Sequence, residues 1–173
     1  MESGLTDSEV ELTQSKYGFQ FPPDLRELLQ HALPIGPMFP NWRDERDDLI
    51  KEQLSWPLEG ILFDIERNGF WMEEWGPKPN DSAAAFEIAR QAVARAPRLI
   101  PVYGHRYIPD EPQLAGNPVF SAHQTDIIYY GGNLAHYFAN EFRPGVYRWS
   151  EEHERTVRKI RFWSRLVDMN NGL

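Results

Sequence analysis

The residue types most able to do chemistry lie between Leu99 and Gly131, the stretch with the densest mixture of polar and aromatic side chains. His105, His123 and Asp126 carry two imidazoles and a carboxylate, which are ligands that zinc accepts. Their spacing follows no compact ligand motif, and a single histidine in a loop is usually a hydrogen-bonding or surface residue. We therefore predict no metal site. A metal-dependent enzyme built on these three residues stays open as an alternative.

Two further pairs of residues have the types that catalysis uses. Ser121 and His123 lie two residues apart on one predicted strand, so their hydroxyl and imidazole share a face. A serine nucleophile also needs an oxyanion site and a turn that exposes its hydroxyl to the substrate. Asp64 and Glu66 alternate in the same way and would pair two carboxylates for general acid–base work. Solvated acids on the wet face of a strand explain that pair without catalysis. The sequence also contains no GxSxG, Walker loop, GxGxxG after a strand or HExxH motif.

Arg106 stands between His105 and Tyr107, just before a segment stiffened by Pro109 and Pro112. A buried guanidinium can donate to several carbonyl groups at once. We therefore predict that Arg106 locks this loop, and binding of a ligand is the alternative role.

Periodicity and turn residues predict the elements that position these groups. β-branched and aromatic runs predict three strands, LIPVY, PVFSA and IIYY, with a loop from His105 between the first two. Alternation in ILFDIE predicts another strand, joined by an Asn68-Gly69 turn to a second strand in FWMEEW. Capping residues and first-turn prolines predict helices that begin at Thr6, Pro22-Pro23, Asn41, Asp81 or Ser82, Asn133 and Ser150. Ile160, Trp163 and Val167 are expected to dock the last helix.

Composition narrows the class of protein. The chain has 173 residues, 41% of them hydrophobic, which predicts one domain over residues 1–173. A net charge of −8 opposes binding to nucleic acid or an anionic membrane and favours a basic partner. The chain has no cysteine, no run near the ~20 apolar residues of a membrane span, and no signal-peptide pattern in MESGLTDSEVEL. We therefore expect a cytoplasmic protein.

Four pieces of the chain, taken in order, resemble the SUKH superfamily, which includes Syd-like proteins and yeast cell-wall regulators of the Smi/Knr type. The pieces are FPPDLRELL, ILFDIERNGFWMEEWGPKP, VYGHRYIPDEPQLAGNPVFSAHQTDIIYYGGNLAHYF and IRFWSRLV. The succession GHRYIP, NPVFS and TDIIYYG is the most specific part of the resemblance. The chain departs from the family at LPIGP, where many members have an Asn-Gly-Gly-type turn, and from Pro40 to Leu54.

The resemblance implies an α+β domain with one mostly antiparallel, curved β-sheet flanked by helices. It also implies a binding protein and no enzyme. Bacterial members resemble immunity proteins that neutralise a cognate polymorphic or contact-dependent toxin, often a nuclease, and fungal members are signalling scaffolds. We therefore expect a non-enzymatic immunity protein that binds a basic toxin domain, with a cytoplasmic scaffold or regulator as the alternative.

The family carries over no catalytic residue, metal or cofactor, and the oligomeric state stays open. We expect aromatic side chains to supply most of the affinity and acidic side chains to speed encounter with a basic partner. The expected contact surface consists of Trp71, Glu73, Glu74, Trp75, Tyr103, His105, Arg106, Tyr107, Asp110 and Glu111. Core packing is the alternative for the tryptophans, and solvation in a loop is the alternative for the acids.

Overall fold

The computed structural model describes residues 1–44, 48–143, 145, 150, 153 and 156–172. In chain order the elements are β1 (Glu2–Ser3), α1 (Asp7–Tyr17), α2 (Pro23–His31), β2 (Ala32–Leu33), α3 (Asp48–Arg67), a 3₁₀ turn (Glu73–Trp75), α4 (Ser82–Ala94), β3 (Leu99–Tyr103), β4 (Arg106–Pro109), β5 (Val119–His123), β6 (Asp126–Gly131), α5 (Leu134–Phe142) and α6 (Trp163–Asn170). The predicted α+β class is confirmed. Among the described residues, no helix combines the length and the apolar character that crossing a membrane requires.

The main sheet has four strands in the order β3-β4-β5-β6, and every neighbouring pair is antiparallel. Successive side chains of a strand point to opposite faces, so each face can bury its own set. Tyr107 and Phe120 pack with α3, α4 and α6, whereas Ile108 and Val119 pack with α1, α2 and α5. The sheet therefore lies between two helical layers. A separate antiparallel pair, β1 with β2, joins the N-terminus to the end of α2.

The helix starts that depend on local capping are confirmed. The Thr6 hydroxyl accepts from Glu9 N at 3.2 Å while the Glu9 carboxylate accepts from Thr6 N at 2.7 Å, which is a complete capping box. Asp81 and Asn133 cap α4 and α5 with their side chains. α2 ends at His31, because the chain leaves the helix there to pair with β1.

The predicted hairpin of ILFDIE and FWMEEW is wrong. Residues 61–67 are the last turns of α3, and a 3₁₀ turn occupies 73–75. The buried positions Ile50, Pro57, Ile61 and Ile65 follow a helical stripe that is visible only over a window longer than six residues. Gly60 lies inside the helix because a Cβ there would come within 2.6 Å of backbone atoms of the β5–β6 turn. The charged helix expected from Asn41 begins at Asp48 among the described residues.

Two other predictions about secondary structure are also wrong. The sequence predicts a loop from His105, but Gly104 adopts a φ of 53° and reverses the chain at once, so Tyr103 pairs with Arg106 and β4 follows. The single helix predicted from Ser150 is interrupted, because residues 158–160 are not helical and α6 begins only at Trp163. Part of that prediction falls on residues 151, 152, 154 and 155, which lie outside the described residues. The expected docking residues Ile160, Trp163 and Val167 are buried.

Candidate functional site

One row of side chains crosses all four strands of the main sheet on the same face. The register pairs Tyr103 with Arg106, Arg106 with Ser121, and Ser121 with Ile128. Residues directly opposite one another in antiparallel strands share a face, and their Cβ atoms lie about 4.5–5.5 Å apart. We call these four residues the sheet row. Ile128, at its outer end, leaves 41% of its surface exposed.

Arg106 is held in place on three sides. Its Nη1 donates to the Ser121 hydroxyl at 3.0 Å, and its Nε lies 3.3 Å from a carboxylate oxygen of Glu141 on α5. Its guanidinium carbon lies 3.9 Å from the centroid of the Tyr130 ring, a cation–π contact. The Arg106 and Glu141 side chains are only 13% and 19% exposed. The planar guanidinium is therefore fixed by its own neighbours.

Buried polar atoms around Arg106 lack hydrogen-bond partners. In the described part of the chain, Arg106 Nε, Glu141 Oε2 and the Tyr137 hydroxyl are all buried without a hydrogen-bond partner. The contact between Arg106 Nε and Glu141 Oε2 is an ion pair without hydrogen-bond geometry. Burial, and secondarily the nearby Glu141 carboxylate, raises the pKa of Tyr137 well above its ordinary value. This end of the sheet therefore holds largely buried charged groups next to aromatic rings.

Beside the sheet row lies a cluster of partly exposed apolar side chains. Phe39, Tyr103 and Phe142 are in mutual ring contact, with centroids 4.7, 5.3 and 6.1 Å apart. Met38 lies beside them, since its carbonyl accepts from Gly104 N at 2.7 Å and its side-chain Cε would lie 2.7 Å from a Cβ placed on Gly104. Met38 is 43% exposed and Phe142 is 46% exposed. We call Met38, Phe39, Tyr103 and Phe142 the apolar patch.

Tyr103 belongs to both the sheet row and the apolar patch, so the two groups adjoin. Contiguous exposed apolar side chains with a polar rim mark sites of protein interaction. No family model, curated protein or solved structure matches the chain. The resemblance to the SUKH superfamily therefore stays a prediction.

The loop that Arg106 was predicted to lock is held by other residues. The buried Asn117 donates from Nδ2 to the carbonyls of Pro109 and Pro112, at 3.2 and 2.9 Å. Its Oδ1 accepts from Arg158 Nη1 at 2.6 Å, and the same nitrogen donates to the Ala115 carbonyl at 3.1 Å. The prediction that Arg106 locks this loop is wrong. Asn117 lies inside the loop and reaches its carbonyls, whereas the Arg106 side chain lies between the sheet and α5 and contacts Ser121 and Glu141.

Of the predicted contact residues near the first hairpin, Tyr103, His105 and Arg106 lie together at the sheet row. Burial, then the positive charge of Arg106, lowers the pKa of His105. Asp110 closes the other end of the hairpin, where its carboxylate accepts from Arg98 N at 2.8 Å. Burial raises the pKa of Asp110.

Tyr107 points to the opposite face and is fully buried, so it is not part of any surface. Its hydroxyl donates to the Gln53 carbonyl at 2.8 Å. Pro57 lies four residues after Gln53 in α3 and has no N–H, so this carbonyl has lost its ordinary helical donor. Tyr107 supplies the missing donor, and burial raises its pKa.

Three of the remaining predicted contact residues lie against residues 161–165. Trp75 stacks on Phe162, with 6.5 Å between ring centroids. Glu74 and Glu111 form ion pairs of 3.4 and 2.9 Å with arginines of this segment. These acids are therefore paired within the chain.

The last two predicted contact residues, Trp71 and Glu73, have different surroundings. Trp71 packs edge-on against Trp75 and donates its indole N–H to the Gly76 carbonyl at 2.7 Å. Glu73 is exposed. The predicted contact residues thus fall into two separate groups, and the group with Tyr103, His105 and Arg106 lies beside exposed apolar side chains.

The residues considered for catalysis and metal binding have other roles in the structure. The described residues hold no group of three or more His, Asp or Glu side chains placed to bind a metal ion. The Ser121 hydroxyl accepts a hydrogen bond from Arg106. Within the described residues, it has no hydrogen bond to a histidine.

Asp64 and Glu66 are not a carboxylate pair. They lie in a helix, where residues two apart point in different directions. Asp64 is 3% exposed and accepts from Thr125 N at 2.8 Å and from the Thr125 hydroxyl, which ties α3 to the β5–β6 turn. Glu66 is exposed and contacts its neighbour Arg67.

Several residues of the site were missed at the sequence level, although signals for them exist. Met38 and Phe39 are large apolar residues in PMFP, a segment enclosed by prolines that cannot continue a helix. Glu141 follows Tyr137 by four residues, so a charge lies on the apolar stripe of α5. A charged residue on such a stripe indicates a buried partner, which here is Arg106.

Proposed function

We propose that the protein is a non-enzymatic binding protein whose apolar patch and sheet row contact a partner protein, and that it acts as an immunity protein by neutralising a basic toxin. The apolar patch, in which Met38 and Phe142 are exposed, and the adjoining sheet row, which ends at the exposed Ile128, carry the proposal. The net charge of −8 and the resemblance to the bacterial immunity branch support a basic toxin as the partner.

The apolar patch is suited to supply the affinity. Complete burial of a Phe or Met side chain contributes about 1.5–3 kcal/mol. Phe142 and Met38 each have nearly half of their surface exposed, so covering them contributes roughly 1 kcal/mol apiece. Aromatic side chains at the centre of an interface are the usual residues of high binding energy.

The sheet row is suited to supply rigidity. Its residues lie on paired strands, and Arg106 is already fixed by Ser121, Glu141 and Tyr130. A surface that is ordered before association loses less conformational entropy on binding. The negative net charge speeds encounter with a basic toxin, and added salt weakens that effect.

The test uses the toxin encoded beside the gene. Calorimetry should detect binding to the purified toxin, and expression of the protein should protect cells that express the toxin. Phe142→Ala should weaken binding about tenfold, the change expected for a central aromatic residue. Phe63→Ala is the matched control, because Phe63 on α3 is 47% exposed and Phe142 is 46% exposed.

Circular dichroism of both variants checks that they fold. The control should change the dissociation constant by less than about twofold. Failure of the wild-type protein to bind or protect, or an equal loss of affinity in both variants, would contradict the proposal.

A further inference from the structure

A groove lies between α2 and α5, next to the apolar patch. Its volume is about 500 Å³, and its apolar lining includes Leu28 from α2 and Ala135 and Phe138 from α5. Asp24, Glu27 and His31 of α2 line the same groove. The groove therefore has an apolar floor and carboxylates on one wall.

The groove continues into the apolar patch along α5. Ala135, Phe138 and Phe142 follow one another at i, i+3 and i+7, which places them on one side of the helix. The Phe138 and Phe142 rings stack with centroids 5.7 Å apart. Seven residues of helix rise about 10 Å, so this stripe is about two helical turns long.

One carboxylate of the groove, that of Asp24, is held in position by two backbone amides. Asp24 Oδ2 accepts from Gly116 N at 2.9 Å, and its Oδ1 accepts from Leu25 N at 3.1 Å. Glu27 lies one helical turn later and is exposed. Carboxylates beside an apolar floor are complementary to a segment that carries Lys or Arg next to large apolar side chains.

We propose that this groove receives a basic amphipathic helix of the toxin, with its apolar side against Leu28 and Phe138 and its cationic side against Asp24 and Glu27. This inference rests on the proposed function and names the part of the partner that the α2–α5 side binds. Amphipathic helices bind grooves in this way, through side chains spaced by three, four and seven residues.

The first experiment compares two charge reversals in the full-length chain, with the toxin encoded beside the gene as the probe. Glu27→Lys should weaken binding at least about tenfold, because it places a cation against the cationic side of the helix. Glu59→Lys on α3 is exposed and changes the net charge equally, so it should weaken binding by less than about threefold. Equal effects of the two variants would overturn the groove.

The second experiment uses the absence of cysteine from the sequence. Ala135→Cys and Ala83→Cys each introduce one thiol at an exposed position in the first turn of a helix, α5 and α4 respectively. A photo-crosslinker on the thiol of the Ala135→Cys variant should attach to a Lys- or Arg-bearing helical segment of the toxin, identified by mass spectrometry. The same crosslinker on the Ala83→Cys variant should attach to no toxin segment.

The outcomes separate the two proposals. If the wild-type protein does not bind the toxin, the proposed function fails. In a second outcome the toxin binds and Phe142→Ala weakens binding, but the Ala135→Cys variant crosslinks to nothing or to a toxin loop or strand. That outcome overturns only the proposal that the groove receives a helix. Crosslinking between two copies of this chain would overturn it as well.

Discussion

Replacing Tyr107 by phenylalanine removes one hydroxyl from a fully buried ring and leaves its shape unchanged. The hydroxyl donates to the Gln53 carbonyl at 2.8 Å, and Pro57 provides no N–H to replace it. A buried acceptor without a donor costs about 1–3 kcal/mol. We therefore expect Tyr107→Phe to lower the free energy of unfolding by about 2 kcal/mol, which corresponds to a fall in melting temperature of about 4–8 °C.

The physical reason is tested by a double-mutant cycle with Pro57→Ala. Alanine restores a backbone N–H that can donate to Gln53, so in that background Tyr107→Phe should cost less than about 1 kcal/mol. Urea unfolding followed by circular dichroism measures all four proteins. The direct effect of Pro57→Ala on α3 cancels in the cycle. The reasoning is refuted if Tyr107→Phe costs the same in both backgrounds.

Three other predictions concern charged groups. Asp64→Ala should lower the free energy of unfolding by about 2–4 kcal/mol in urea, because it removes the hydrogen bonds that tie α3 to the β5–β6 turn. Glu66→Ala should lower it by less than about 0.5 kcal/mol, and similar losses in the two variants would contradict the structure. Arg106→Met should lower the free energy of unfolding by about 2–3 kcal/mol, and adding Glu141→Leu should recover part of that loss, whereas additive losses would exclude coupling. Arg43 Nε donates to the Glu9 carboxylate at 2.6 Å, and this hydrogen bond is the chief cause that lowers the Glu9 pKa from 4.5 to about 2. The contact therefore stabilises the fold above about pH 4.5, and its contribution is lost as the pH falls towards 2. The stability difference between wild type and Glu9→Gln, measured by thermal unfolding, should shrink over that range, and a constant difference would argue against the contact.

Local signals predict the elements that local contacts determine. The capping box of Thr6 and the cap of Asn133 lie within a few residues of the amides that they satisfy, so the sequence alone locates α1 and α5. The sequence does not reveal α3 as one helix because Pro57 and Gly60 ordinarily interrupt helices. Each is accommodated by a contact that is distant in sequence. The Tyr107 hydroxyl donates to the Gln53 carbonyl, which Pro57 leaves without a helical donor, and the β5–β6 turn packs so closely against Gly60 that a side chain would not fit there.

The candidate site is predictable to a similar extent. Tyr103, His105 and Arg106 are found together because a two-residue turn keeps them close in sequence and in space. The neighbours of Arg106 come from β6 and α5, and their positions depend on strand register and on how α5 packs against the sheet. Neither can be read from periodicity. The structure therefore holds Arg106 between the sheet and α5, largely buried, whereas the sequence predicts that it locks the loop.

The proposed function assigns affinity and speed of encounter to different parts of the molecule. The sequence suggests that acids such as Glu74 and Glu111 contact the partner directly, but both form ion pairs within the chain. Their charges still contribute to the long-range field of a protein with a net charge of −8. Short-range contact then falls to the apolar patch. Added salt should therefore slow association with a basic toxin in stopped-flow measurements, whereas Phe142→Ala should mainly speed dissociation.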